Sequence, residues 1–149
     1  MVLADELGQS EVQGIDGKQG YPREHYRAGT VEVPALTLDA LVSTEGIRSD
    51  DVALVWSDTQ GYETDVLESG SALWQTGTPA WVEVWPAGLN VQGGVERFVK
   101  VCQRYFCGFI ESGALRAGSL EPSDIQKLSS IVGSLVGVDY TDVLLLPKS

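Results

Sequence analysis

The chain has 149 residues, 43% of them hydrophobic and 21% charged, with a formal net charge of -11. That length supports one domain with a real core and is too short for two. An acidic surface repels phosphate backbones and anionic lipid, so nucleic acid and membranes are not expected as main partners.

Residues 1–30 lack clear periodicity, and "GIDGKQGYPREHYRAG" mixes glycine, proline and charge as a loop does. The start, "MVLADELGQ", has neither the basic nor the apolar region of a secretory signal. No apolar run approaches the roughly 20 residues of a bilayer span, so a cytoplasmic chain is expected. "TVEVP" predicts a strand at 30–34. Thr37 and Asp39 open a helix with Leu38, Leu41 and Val42 on its apolar side, stopped at Gly46. "VALVWS" (52–57) is apolar on both faces, as a central parallel strand would be. From Tyr62 the period becomes helical, with Val66, Leu67, Gly70, Leu73 and Trp74 on one face, and Gly77 and Pro79 end the pattern.

"AWVEVW" (80–85) predicts the next strand, 93–106 a helix with Val95, Phe98, Val99, Cys102 and Phe106 on one stripe, and "CGFIE" (107–111) a shorter strand. Ser123 and Gln126 fit a capping box before a helix carrying Ile125, Leu128, Val132 and Leu135, closed at Gly137. "DYTDVLLLP" (139–147) is the final strand. Strands alternating with helices predict an α/β fold with a mostly parallel sheet and flanking helices. Cys102 and Cys107 read as buried small hydrophobes rather than a redox pair.

In such sheets ligands bind beyond the carboxyl ends of the strands. Asp58 stands at such an end, with Gln60, Gly61 and Glu63 directly after it. Two readings stay open from spacing alone. Asp58 caps the next helix, Glu63 complements its dipole and Gly61 permits a tight turn; or the group lines a site. Glu83 alternates onto the same face as Trp81 and Trp85, where a carboxylate needs a partner or an opening to water. His25, the single histidine, has no metal-ligand spacing around it. Gly93-Gly94 before a helix is only a weak anion signal, and Asp142 reads as a strand-end charge. No Walker A, G-x-S-x-G or G-x-G-x-x-G pattern occurs.

"TLDALV" (37–42), "VALVWSDTQGYETDVLESG" (52–70) and "PAWVEVWP" (79–86) together resemble the FkbM family of S-adenosylmethionine-dependent methyltransferases. Asp39 matches one element. Asp58, Gln60, Gly61 and Glu63 match a second, Leu67 and Gly70 a third, and Glu83 a fourth, while Ser71 departs from the usual alanine. The resemblance spans about 31–149, with "YTDVLLLP" like the family's last strand. It implies a class I, Rossmann-like fold and methyl transfer from S-adenosyl-L-methionine to a hydroxyl of a sugar or natural product. Asp58 would orient the acceptor or take its proton, and Gln60, Gly61, Glu63 and Glu83 would bind or support it. The family's glycine-rich cofactor loop is not found, so the cofactor-binding residues are unknown. The chain therefore reads as a loop-rich segment (1–30) and a C-terminal portion of the domain (31–149) with its N-terminal part missing. The alternative is a non-catalytic interaction or remnant domain, self-associating through an exposed sheet edge.

Overall fold

The computed structural model describes residues 2–3, 10–11 and 35–148. The strand expected at 30–34 and the loop carrying His25 lie outside the described residues. β1 (Val2–Leu3) and β2 (Ser10–Glu11) form a small antiparallel ladder. α1 (Leu38–Thr44) begins as the sequence predicts, with Thr37 Oγ1 accepting from the Ala40 N–H at 3.1 Å.

β3 (Val55–Ser57) is shorter than expected and stands at the end of its sheet among the described residues, not at the centre. Trp56 is 72% exposed there, so the run that reads as apolar on both faces is covered on one. The helix expected from Tyr62 is two: α2 (Glu63–Ser69) and α3 (Ser71–Gln75), broken at Gly70. A side chain at Gly70 would drive into Trp74 and Leu38, at 2.8 and 3.0 Å. The break lets α1 close on the junction: Asp39 accepts from Ser71 Oγ (2.9 Å) and from the Ala72 N–H (3.1 Å). The Asp of "TLDALV" thus satisfies the start of α3.

β4 (Ala80–Val84) leads into α4 (Pro86–Val91), α5 (Val95–Tyr105) and β5 (Phe106–Glu111). Then come α6 (Ser112–Arg116), β6 (Ser123–Asp124), a 3-10 turn (Ile125–Lys127), α7 (Leu128–Ser134) and β7 (Thr141–Pro147). The cap near 123 comes from Asp124, whose carboxylate accepts from the Gln126 N–H at 2.8 Å; Ser123 is in the strand. Cys102 is buried as expected, and burial pushes its thiol well above the usual range. Cys107, expected buried, is exposed, because it alternates away from the core between Phe106 and Gly108.

The main sheet has the order β3-β4-β7-β5-β6. Only β3–β4 is parallel; β4–β7, β7–β5 and β5–β6 are antiparallel. The expectation of a mostly parallel sheet is therefore corrected. β3, β4 and β5 do point the same way, but β7 enters reversed between β4 and β5 and makes both its contacts antiparallel. Alternation of helices and strands encodes neither insertion point nor direction. One face of the sheet, with Ala80, Val82, Val84, Phe109, Val143 and Leu145, forms the core with Leu67, Leu73, Trp74, Phe98 and Phe106. Trp74 also donates its indole N–H to the Leu67 carbonyl at 2.7 Å, so its one polar atom is satisfied in the apolar interior.

A carboxylate cluster at the strand ends

The chain leaves β3 through Asp58 and turns at once. Gln60 (φ 54°) and Gly61 (φ 106°) are both left-handed. At Gly61 the requirement is absolute, because an added Cβ would sit 2.7 Å from the Gly88 backbone of α4. The backbone this glycine admits is therefore the protein's own.

Glu63 holds the turn from below. It is fully buried. Its Oε1 accepts from the Thr59 N–H (2.7 Å) and hydroxyl (2.9 Å), and its Oε2 from the Gly61 N–H (2.9 Å). Burial raises its pKa, and these bonds oppose the rise. Asp58 does not cap α2: Tyr62 takes the cap position, with no side-chain capping bond. Asp58 is instead exposed, and its Oδ1 accepts from Gln60 Nε2 at 2.8 Å. The same nitrogen reaches Glu83 Oε2 at 3.3 Å, so one amide spans the ends of β3 and β4.

Glu83 lies half-buried on the face of β4 opposite the core, with Trp81. Its pKa is pushed up to about 7, first by burial and then by Asp58, Glu63 and Asp142. Asp142 is directly across the β4–β7 pair from it. Burial, then Asp58, raise the Asp142 pKa; Arg116 and a hydrogen bond from Trp81 oppose this. Trp56 stands beside Trp81, with ring centroids 6.1 Å apart.

Of the residues expected at the site, Asp58, Gln60 and Glu83 come together. Glu63 and Gly61 lie beneath and beside them, inside the turn. Trp81 was expected on the face of Glu83; Asp142, read as a strand-end charge, and Trp56 were not expected beside it. Period-two alternation along β4 finds Trp81, but nothing local sets Trp56 of β3 or Asp142 of β7 beside Glu83. The Gly93-Gly94 pair shapes the start of α5, where Arg97 is held by Asp65, Glu68 and the Gln92 carbonyl. Among the described residues no group of three or more His, Cys, Asp or Glu is arranged to hold a metal ion, and no helix is long and apolar enough to cross a membrane.

The carboxylates and the Gln60 amide can accept hydroxyl hydrogens and orient a polar ligand, and Glu83 can take up a proton near neutrality. Their charge is opposite to that of a sulfonium, so the donor set fits a cationic methyl donor in kind.

The family model described as "Methyltransferase FkbM domain" matches residues 5–103, about two thirds of the chain. The match corrects the extent expected from the motifs. It takes in much of the segment read as a loop-rich leader and stops within α5, so the N-terminal part of this chain is what matches. A C-terminal portion spanning 31–149 is not supported. The final "YTDVLLLP" misleads because an apolar strand run is common to many folds. No curated protein and no solved structure matches the chain.

Proposed function

The chain belongs to the FkbM methyltransferase family, and on that premise we propose that it transfers a methyl group from S-adenosyl-L-methionine to a hydroxyl of a sugar or natural product. The mixed α/β sheet with flanking helices is consistent with a methyltransferase fold. The observation that carries the reading is the junction of Asp58, Gln60 and Glu83 at the carboxyl ends of the parallel pair β3–β4, where open α/β sheets bind ligands.

The cofactor, when bound, supplies an electrophilic methyl group on a positively charged sulfur. Asp58 and Glu83 are the residues whose charge would face it. On the acceptor side, the exposed Asp58 accepts a hydroxyl hydrogen bond and orients the oxygen. Gln60 fixes the spacing of the two carboxylates. Glu63, buried under the turn, holds Gln60 and Asp58 in register, and Gly61 seats the turn on α4. Positioning of this kind provides much of the rate advantage in a displacement between two bound partners.

A second reading, a non-catalytic interaction module, is favoured by Trp56, which is largely exposed on a strand with one free edge among the described residues. Titration calorimetry of the whole chain with S-adenosyl-L-methionine separates the two. Saturable heat, competed by S-adenosylhomocysteine, is expected. No heat at millimolar cofactor, with self-association in sedimentation, would favour the interaction module.

A further inference from the structure

Two carboxylates of the cluster can receive a proton, and their surroundings differ. Asp58 is exposed, and one of its oxygens takes the Gln60 amide. Glu83 is half-buried and faces Asp142 across an antiparallel pair. Residues so opposed have Cβ atoms about 4.5–5.5 Å apart, and like charges at that spacing repel. Such a pair settles by protonating one member first.

The neighbours decide which. Burial and Asp58 raise the Asp142 pKa, but Arg116 of α6 and the Trp81 indole act against the rise. These last two favour charge on Asp142. Among the described residues the charged groups bearing on Glu83 are acids, Asp58 from the end of β3, Glu63 from α2 and Asp142 from β7, with the neutral Gln60 amide between strands. The geometry therefore keeps the charge on Asp142 and sends the proton to Glu83.

We propose that Glu83, rather than Asp58, receives the proton released by the methyl acceptor, and that Asp142 acts through it as a positioning residue. This rests on the reading of the cluster as the acceptor side of a methyl-transfer site. The acceptor oxygen gains its bond to the methyl carbon as the carbon–sulfur bond of the sulfonium donor breaks. The electron pair of that bond stays on sulfur, giving a neutral thioether, and the hydroxyl proton passes to a Glu83 carboxylate oxygen. A base that titrates near the working pH suits that transfer, since it is both available and strong enough.

The test is a carbon-13 NMR titration of the side-chain carboxyls of the full chain, with Glu83→Gln for assignment and Asp142→Asn as the probe. Glu83 is expected to titrate near neutrality in the unaltered chain and to move toward the ordinary glutamate range in Asp142→Asn. Titration with the ordinary carboxylates, or no movement in Asp142→Asn, overturns the pairing. In labelled-methyl transfer to hydroxylated acceptors, Glu83→Gln is expected to lower the rate about 10²–10⁴-fold and Asp58→Asn by less than about tenfold. Asp142→Asn is expected to move the pH–rate profile to lower pH. Equal losses in Glu83→Gln and Asp58→Asn overturn the assignment of the proton to Glu83. An unaltered chain that transfers no methyl group, with its Glu83 titration as expected, overturns the methyltransferase reading and the proton role, and leaves only the Glu83–Asp142 coupling.

Discussion

Along β4 two different environments alternate. Ala80, Val82 and Val84 face the helices and are fully buried, whereas Trp81 and Glu83 face the other way and remain partly open. The two buried-side and open-side glutamates of the cluster repeat the contrast. Glu63 spends both oxygens on backbone and hydroxyl donors of its own turn, while Glu83 meets one amide and three acids. The same side-chain type is thus a structural clamp on α2 and a chemically available group on β4. What separates them is the set of neighbours, not burial alone.

Substitutions on the two sides should diverge, and the largest effect belongs to the helix-covered face. Trp74→Ala removes a buried indole that packs on Phe106 and bonds the Leu67 carbonyl, and is expected to cost about 3–5 kcal/mol in urea unfolding. Next comes Glu63→Ala, which strands the buried Gly61 N–H and the part-buried Thr59 N–H; at about 1–3 kcal/mol for a fully buried group and less for a part-buried one, a loss of about 2–4 kcal/mol is expected. A cost under about 1 kcal/mol would mean that the turn holds itself without the clamp. Trp56→Ala, on the open face, should change stability by less than about 1 kcal/mol, since its ring is mostly in water. A large loss there would show that the open face carries packing energy after all.

How far the sequence could reveal this division depends on range. Short-range chemistry was legible: Thr37 as a cap, the α5 stripe through Phe98 and Cys102, and Asp58 at a strand end. Alternation also put Glu83 on the face of Trp81. Long-range placement was not. β7 reads as a strand from "DVLLL", but its reversed insertion beside β4, and with it the Glu83–Asp142 pairing, depends on the route of a connection through β6 and α7. The break at Gly70 was hidden because the helical stripe runs straight through it; only the meeting of Trp74 and Leu38 requires the glycine. Glu63 stayed open between complementing the helix dipole and lining a site. That it turns inward follows from the left-handed Gln60–Gly61 turn, whose N–H groups point at it.

The most direct measurement of the proposed difference between the two glutamates is the pH dependence of unfolding in the unaltered chain and in Glu83→Gln. A carboxyl whose folded-state pKa is raised contributes its stability in full below the unfolded value of 4.5 and loses it as pH rises through about 7. Glu83→Gln mimics the protonated form at every pH. The unaltered chain should therefore match the variant at acid pH and fall progressively below it between about pH 4.5 and 7. Two curves that stay parallel from pH 4 to pH 8 would contradict a Glu83 held ready for a proton by its acidic neighbours.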